Sequence, residues 1–122
     1  MKLHLTQAEG SQLITGYGDG WVEINAVRYE RTVIVMPNQL IHDWHTQDFD
    51  ALAEADFETL LTLMPEVVLL GTGNRHRFIH PRLTRQLTEA GISVECMDTP
   101  AACRTYNILM AEGRHVLAAL LV

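Results

Sequence analysis

The chain has 122 residues, of which 48% are hydrophobic and 20% charged, and its formal net charge is −6. This length and composition predict one globular domain with a sizeable core and exclude a disordered chain. The negative balance argues against nonspecific nucleic-acid binding, which requires a basic surface. Two cysteines, Cys96 and Cys103, are too few for a disulfide framework. They are seven residues apart across a strand-to-helix turn, which leaves a bridge as the alternative to the two reduced thiols that we expect.

The sequence also bears on location. No apolar run approaches the roughly 20 residues that a membrane-spanning helix requires. The first ten residues lack the continuous apolar core of a signal peptide. We therefore expect a cytoplasmic protein without a membrane span.

The N-terminal third predicts a β-hairpin. Residues 16–20 (Gly-Tyr-Gly-Asp-Gly) are glycine-rich and favour a loop leading into the fold. Residues 21–24, a turn at Asn25 and Ala26, and a longer strand over residues 27–36 form the expected hairpin. Pro37 and Asn38 end that strand. Residues 41–50 are polar and aromatic, which indicates irregular structure, with a short strand as the alternative.

Helical and apolar patterns alternate in the rest of the chain. Asp56 is the expected cap of a first helix, with Phe57, Leu60, Leu61 and Met64 on its apolar face. A second helix is expected from His80-Pro81 to a stop at Gly91, and a third over residues 100–112 with Gly113 as its stop. Their inward residues are expected to be Leu83, Leu87 and Ala90 in the second helix and Ala102, Tyr106 and Leu109 in the third.

Three apolar runs, at residues 67–70, 92–97 and 116–122, separate and follow these helices and predict buried strands. A hairpin followed by alternating helices and strands indicates an α/β domain with a mixed sheet. No linker or internal repeat is evident, so the expected domain spans residues 1–122.

Residues 71–77 (Gly-Thr-Gly-Asn-Arg-His-Arg) follow the first of these apolar strands. Glycines there let a ligand approach backbone N–H groups, and Arg75 and Arg77 add positive charge. Ligands of open α/β sheets bind beyond the carboxyl ends of the strands. The complete nucleotide-binding motifs are absent. A glycine turn with solvated arginines and an anion or partner site both remain open.

A second set of polar residues surrounds the start of the third helix. Thr99 is the expected N-cap and Pro100 the expected first helical residue. Asp98 then lies beside a helix N-terminus that favours negative charge, with Arg104 about one turn further on. The two could form a structural ion pair or hold a ligand. If this segment meets residues 71–77, both line one crevice.

Nucleophilic and metal-binding chemistry has weaker support. Cys103 lies near a helix N-terminus, where a thiol pKa can fall, but an Ala-Ala-Cys run is more typical of helix packing. His42 and His45, with Asp43 and Asp48, have metal-ligand spacing only if the segment is helical. We therefore expect no catalytic residue, no metal and no cofactor. Trp44 and Phe49 are expected to cover the core rather than to form a partner patch.

These residues also carry a resemblance to a known family. Residues 69–73 (Leu-Leu-Gly-Thr-Gly), followed by residues 95–99 (Glu-Cys-Met-Asp-Thr) and 101–109 (Ala-Ala-Cys-Arg-Thr-Tyr-Asn-Ile-Leu), resemble the Mth938-type domain family. That family includes small bacterial and archaeal proteins of unknown function and the mitochondrial complex I assembly factor three. The similarity covers nearly the whole chain, from the hairpin at Trp21 to the last strand.

The resemblance implies a three-layer α/β domain whose mixed central sheet has one strand antiparallel to the rest. It implies no established reaction, metal or cofactor, and the eukaryotic relatives act through protein partners. The sequence shows no mitochondrial presequence, so the organellar role does not transfer intact. The family motif singles out these positions here: Gly71, Thr72, Gly73, Asp98, Arg104, Thr105 and Asn107.

The leading hypothesis is a noncatalytic binding module, including a role as assembly factor for a respiratory or other protein complex. Its crevice would lie between residues 71–77 and 98–104 and would contact a protein partner or a small anion; Arg75, Thr105 and Asn107 are included among its residues. The alternative is an enzyme acting on a small anionic substrate, with Arg104 as anion holder and Asp98 or Cys103 as the reactive group. The oligomeric state is not indicated by the sequence.

Overall fold

The computed structural model describes residues 11–42, 44 and 48–122. Residues 1–10, which we expect to contain no signal peptide, lie outside the described residues. The candidate metal ligands Asp43 and His45 also lie outside them. In chain order the elements are β1 (Ile14–Gly18), β2 (Trp21–Ile24), β3 (Val27–Tyr29), β4 (Val33–Met36), β5 (Gln39–His42), α1 (Glu54–Leu61), β6 (Val67–Thr72), α2 (Arg85–Glu89), β7 (Ser93–Met97), α3 (Thr99–Ala111) and β8 (Val116–Leu121).

The larger sheet has five strands in the order β5-β4-β8-β6-β7. Strands β6, β7 and β8 are mutually parallel, and β4 runs antiparallel to both β8 and β5. One strand therefore opposes the other four, as the resemblance implied. The last strand in the sequence, β8, lies at the centre, and all six of its residues are buried. An uninterrupted apolar run is typical of a strand that is covered on both faces.

The smaller sheet has three antiparallel strands, β1-β2-β3. Asn25 and Ala26 have φ values of 51° and 68°, as a two-residue hairpin turn with a primed geometry requires, so the predicted hairpin is confirmed. The expected loop at residues 16–20 is wrong in part, because β1 extends to Gly18 and pairs with β2. The single strand expected over residues 27–36 is also wrong, since it divides into β3 and β4, which belong to different sheets.

Layers of side chains cover both faces of the five-stranded sheet. Alternate residues of β4, β6 and β8 point to opposite sides, as the period of two in a strand demands. One face packs against α1 and α2, with Phe57, Leu60 and Leu87 in contact with the sheet. The other packs against α3 and the three-stranded sheet, with Tyr106, Ile14 and Ile24 in that layer. The three-layer α/β prediction is confirmed.

The start of α1 differs from the predicted one. The helix begins at Glu54 with Ala53 as its cap residue, and the Asp56 carboxylate accepts a hydrogen bond from the Ala53 N–H at 2.8 Å. Asp56 thus closes the first turn from inside the helix and is not the cap. Met64, expected on the apolar face, is 77% exposed because the chain has already left the helix and takes a φ of 52°.

A 3₁₀ turn at Pro81–Thr84 precedes the short helix α2, so the predicted second helix exists in two parts. His80 caps this turn through a ring nitrogen that accepts from the Arg82 N–H at 3.1 Å. Leu87 is fully buried, whereas Ala90 is exposed, which corrects its predicted inward position. Gly91 has a φ of 82° and ends the segment as expected.

Residues 37–42 contain more regular structure than the sequence indicated. Pro37 and Asn38 join β4 to the edge strand β5, so among the described residues the short-strand alternative for residues 41–50 is correct only for Ile41 and His42. Trp44 is buried, donates from its indole nitrogen to the Asp56 carbonyl at 3.3 Å and packs edge-on against Phe57. Trp44 therefore covers the core, as predicted. No helix in the described part of the chain is both long and apolar enough to cross a membrane.

Candidate functional site

The two candidate segments meet where the parallel strands end. The Thr99 N–H donates to the Gly73 carbonyl, and the Gly73 N–H donates to the Thr99 hydroxyl, each at 2.8 Å. The Thr99 hydroxyl in turn donates to the Leu121 carbonyl at 2.6 Å. One side chain thus ties together the ends of β6 and β8 and the start of α3. The structure therefore places Gly73 and Thr99, one residue from each predicted segment, in contact at one rim of the sheet.

The cap of α3 is Asp98 rather than Thr99. Its carboxylate accepts a hydrogen bond from the Ala101 N–H at 2.8 Å, as a good N-cap does. Thr99 is the first helical residue and Pro100 the second, so both predicted positions shift by one. The reason is tertiary: the Thr99 hydroxyl is used by β6 and β8 and is not available to its own helix.

Gly71 and Gly73 serve different purposes. A Cβ at Gly71 would lie 2.9 Å from the Thr99 hydroxyl oxygen, so the glycine permits α3 to approach β6. Gly73 has a φ of 96°, and its missing side chain would meet nothing within 4 Å. Gly71 is thus a packing residue, whereas Gly73 faces open space.

That open space is a cleft of about 650 Å³ between the two sheets. Its walls come from the β1–β2 turn, the Gly73 loop, the start of α3 and the end of β8. The lining residues are Tyr17, Gly18, Asp19, Gly20, Gly73, Asn74, Thr99, Pro100, Leu121 and Val122. Of the predicted crevice residues only Gly73 is among them, and the predicted segments 71–77 and 98–104 contribute three more: Asn74, Thr99 and Pro100.

Sequence reasoning missed the wall formed by residues 17–20. The signal was present, because an aromatic residue and an acid stand between glycines there. Glycines favour a loop when the run is considered alone, and its position opposite Gly73 depends on contacts between β1 and α3, which are 87 and 93 positions apart for Tyr17–Arg104 and Ile14–Asn107. Gly18 is itself constrained, since a Cβ would lie 2.5 Å from the Trp21 indole nitrogen.

Arg104 does not line the cleft but bonds Tyr17, a residue of this wall, and not Asp98. Its guanidinium donates to the Tyr17 hydroxyl at 3.0 Å, and this hydrogen bond raises the Arg104 pKa further above its ordinary value. Within the described residues Arg104 and Asp98 form no ion pair, which corrects the predicted couple. The long side chain reaches outward to the three-stranded sheet, whereas the Asp98 carboxylate turns inward to its own helix.

The backbone N–H groups at the start of α3 are not free to bind an anion. The Thr99 N–H is bonded to Gly73, Pro100 has no N–H, and the Ala101 N–H is bonded to the Asp98 carboxylate. The Asp98 charge also occupies the position that the helix dipole would otherwise give to a ligand. Among the residues lining the cleft, the one charged side chain is Asp19, which would repel an anion.

Two other predicted residues hold the structure together. The Thr72 hydroxyl donates to the Arg75 carbonyl at 2.6 Å and accepts from the Arg77 N–H at 3.2 Å. The Asn107 amide bonds both backbone groups of Ile14, at 3.0 Å and 2.7 Å, and so replaces the neighbouring strand that β1 lacks on that side. Neither side chain lines the cleft. Arg75 and Thr105 do not line it either.

The predicted reactive groups are poorly placed for chemistry. Cys103 is 1% exposed within the core, and burial raises the pKa of its thiol to about 12. A thiol with that pKa is protonated at neutral pH and is not an activated nucleophile. No histidine is among the residues that line the cleft. His42 packs edge-on against Tyr29 at the end of β5, and the described part of the chain contains no cluster of three or more metal-ligating side chains.

In class, the fold and the cleft define a small α/β domain in which a three-stranded sheet is packed beside a mixed five-stranded one. Residues 14–121 match the model of the family described as protein of unknown function (DUF498/DUF598), and the chain belongs to that family. A Bordetella parapertussis protein of known crystal structure is 42% identical, with a TM-score of 0.87 over 92% of this chain and 96% of that one. A Bordetella pertussis protein described as a Mth938-like domain is 35% identical, with a TM-score of 0.79 over 90% of this chain and 85% of that one.

Curated relatives carry functional names. The mouse NADH dehydrogenase [ubiquinone] 1 alpha subcomplex assembly factor 3 is 33% identical over 98% of this chain. The chain spans 66% of that mouse protein's length. A Francisella tularensis protein named 13 kDa major membrane protein is 29% identical over 82% of each chain. These findings confirm the Mth938-type family assignment and the inclusion of complex I assembly factors in that family.

Proposed function

We propose that this protein is a noncatalytic binding module that acts in the assembly of a protein complex. The cleft beside Tyr17, Asp19 and Gly73 is the observation that carries the proposal. It is a preformed depression whose walls are held by hydrogen bonds, and concave sites of this size are where proteins bind ligands and partner side chains. The relatives named as assembly factors support a protein partner.

The chemistry of the cleft selects the kind of partner. Tyr17 is 37% exposed at the rim, and tyrosine is a frequent anchor at protein interfaces. Asp19 adds a negative charge, and Pro100 and Leu121 add apolar surface. This combination suits a partner segment that presents a cationic and an apolar side chain. A small anion is disfavoured, because no cation lines the cleft and the helix N–H groups beside it are already bonded.

The enzyme alternative has little to recommend it. It requires a reactive Cys103 or Asp98 with a base nearby, and Cys103 is buried while Asp98 caps α3. General acid–base catalysis needs a titratable group within hydrogen-bond reach of the substrate. Among the residues that line the cleft, Asp19 is the one that carries a carboxylate side chain. We also propose a cytoplasmic location for this protein. The Francisella tularensis relative, by contrast, is named a membrane protein.

Affinity capture from the native host tests the proposal. We expect the tagged protein to co-purify with subunits of a respiratory complex, and the variants Asp19→Lys and Asn74→Trp to lose them. The first reverses the charge of the cleft and the second fills it with an exposed side chain. Glu112→Lys and Asn38→Trp make the same changes at exposed positions away from the cleft. Equal capture by all four variants would exclude the cleft as the partner site.

Arg104→Ala is the companion variant. It removes the hydrogen bond that holds Tyr17 and leaves the cap at Asp98 intact. We expect weaker capture, with the thermal unfolding midpoint close to that of the wild type. If Arg104→Ala retains full capture while Tyr17→Ala abolishes it, Tyr17 binds without help from Arg104.

A further inference from the structure

Basic and aromatic side chains concentrate on the loop between β6 and α2. Residues 67–88 contain no aspartate or glutamate, although the whole chain has a net charge of −6. Within residues 74–82, which we name the basic loop, three arginines and two histidines surround Phe78. Phe78 is 80% exposed, the highest value among the large hydrophobic side chains that the structure describes as exposed.

The basic loop is fixed at its base. The Thr72 hydroxyl bonds Arg75 and Arg77 through their backbone. The Arg77 guanidinium lies 2.8 Å from the Asp50 carboxylate and 4.2 Å from the centre of the Phe49 ring. Ile79 packs against the core on the α1–α2 side of the sheet. Its neighbour Phe78 therefore points outward because of a defined loop conformation.

The three arginines of the basic loop differ in whether an acid neutralises their charge. Arg77 is neutralised by Asp50, and its side chain is only 30% exposed. Arg75 and Arg82 are exposed and form no ion pair with the described part of the chain. They flank Phe78 in the sequence at distances of three and four residues. An exposed ring between two unneutralised guanidinium groups predicts an anionic partner.

We infer that the basic loop docks on an anionic lipid surface, with Phe78 entering the headgroup region and Arg75 and Arg82 binding lipid phosphates. Guanidinium groups match phosphate oxygens through paired hydrogen bonds. Aromatic and basic side chains together are typical of segments that bind reversibly at a bilayer interface. Asp50, the acid that contacts the basic loop, is paired with Arg77. Exposed charges farther away than about 10 Å are largely screened at moderate salt.

The shape around Phe78 favours lipid over an acidic polypeptide. The ring stands out from the surface, with His76 as its ring contact at 4.4 Å between centroids. Neither the cleft nor the smaller cavity beside Pro37 and Gly113 is lined by residues 75–82. An 80% exposed ring suits an interface that deforms to receive it, whereas a folded partner would have to supply a pocket for it.

Vesicle flotation tests this inference on the full chain. We expect binding to vesicles of phosphatidylcholine and phosphatidylglycerol in equal parts, no binding to pure phosphatidylcholine, and loss of binding at high salt. Each of Arg75→Gln and Arg82→Gln should weaken binding about fivefold, the equivalent of one basic residue near an anionic surface. Phe78→Ser should weaken it about tenfold, and Phe78→Trp should retain it, since tryptophan favours the interface.

Matched controls separate this surface from general effects of charge and hydrophobicity. Arg28→Gln and Arg114→Gln remove exposed arginines elsewhere, and Met64→Ser removes an exposed apolar side chain. Their binding should equal that of the wild type. Absence of wild-type binding, equal binding to pure phosphatidylcholine, or equal losses in the controls would overturn the inference. Retention on immobilised polyglutamate without vesicle binding would also overturn it, in favour of an acidic polypeptide.

The basic loop and the cleft share Asn74, so the variant that separates the two proposals is Asp19→Lys, which lies outside the loop. It changes the cleft and should leave the requirement for Arg75, Arg82 and Phe78 in vesicle flotation unchanged. The Phe78→Ser variant should still capture a soluble partner subunit supplied in purified form. A negative result in vesicle flotation therefore does not bear on the partner cleft, and a negative result in partner capture does not bear on lipid binding.

Discussion

Thr99 lies where three segments of the chain converge, and its hydroxyl accepts from Gly73 and donates to Leu121. The side chain is only 6% exposed, so water cannot easily replace either hydrogen bond. A buried backbone group without a partner costs more than a hydrogen bond gains, which makes this hydroxyl a sensitive position. A threonine beside a proline at a helix start would ordinarily be interpreted as a cap.

We expect Thr99→Val to lower the free energy of unfolding by about 2 kcal/mol, because an isosteric side chain leaves two backbone groups unbonded. Urea unfolding followed by circular dichroism measures this change. Thr62→Val, which removes an exposed hydroxyl bonded within its own turn, should change stability by less than about 0.5 kcal/mol. Similar losses for both variants would refute the special role of Thr99.

Cys103 gives a prediction for alkaline pH. Its pKa rises from 9.0 in the unfolded chain to about 12 in the core, so the folded protein keeps a proton that the unfolded chain releases. The contribution of this thiol to the free energy of unfolding is therefore fully present below pH 9. It falls by about 1.4 kcal/mol per pH unit between pH 9 and about 12. Burial also raises the pKa of Tyr106 above its ordinary value of 10.0, so this group acts in the same direction from about pH 10 upward.

The measurement is urea unfolding between pH 8 and the highest pH at which refolding is reversible. Cys103→Ala should be less stable at pH 8 because it leaves a small cavity, but its stability should decline less steeply above pH 9. Parallel declines in the two proteins would show that the thiol does not contribute. Rapid alkylation of Cys103 in the native protein at pH 8 would contradict the raised pKa directly.

At the scale of elements, β1 and α3 are joined by an unusual contact. β1 pairs with β2 on one side, and on the other the Asn107 amide bonds both backbone groups of Ile14. An unpaired strand edge is open to pairing with another chain, and here a helix side chain covers part of it. The contact also aligns the β1–β2 turn with the cleft, because Tyr17 follows Ile14 on the same strand.

We expect Asn107→Leu to lower the free energy of unfolding by about 2 kcal/mol and to accelerate amide hydrogen exchange at Ile14, because both backbone groups lose their partner. Exchange followed by NMR provides the measurement. Gln86→Leu removes an exposed bond to Glu58 and serves as the control. Unchanged exchange at Ile14 would mean that the three-stranded sheet holds its position without Asn107.

At the scale of the whole molecule, the two sheets differ in how deeply they are covered. Every residue of β6 and β8 is buried, whereas β3, at the edge of the small sheet, has an exposed Val27 and an exposed Arg28. The cleft lies between the sheets, so any movement of the small sheet changes its width. We therefore expect the five-stranded sheet to be the more stable of the two against local opening.

Amide hydrogen exchange should reflect this difference. We expect the amides of residues 117–120 in β8 to exchange only through global unfolding, and those of β2 and β3 to exchange through smaller openings with lower free energy. Increasing urea concentration should merge the two classes as global unfolding becomes dominant. Identical exchange free energies for both sheets in the absence of urea would show that they unfold as one unit.

Local patterns in the sequence determined much of this protein. The strand β8 was evident because burial on both faces requires an uninterrupted apolar run. The helix α3 was evident from the spacing of its apolar residues. The ends at Gly91 and Gly113 were evident because glycine readily takes the positive φ that these positions have. The family motif indicated the correct fold. It also indicated a rim at the end of β6, where residues 71–73 meet Thr99.

Only the tertiary structure decided which side chains share a partner. Arg104 bonds Tyr17, 87 positions away, instead of the neighbouring Asp98, and Asn107 bonds Ile14 across 93 positions. Residues 16–18 form a strand because β2 pairs with them, although their glycines favour a loop when considered alone. Contacts of this kind depend on which distant segments the packed core brings together, and no spacing along the chain records them.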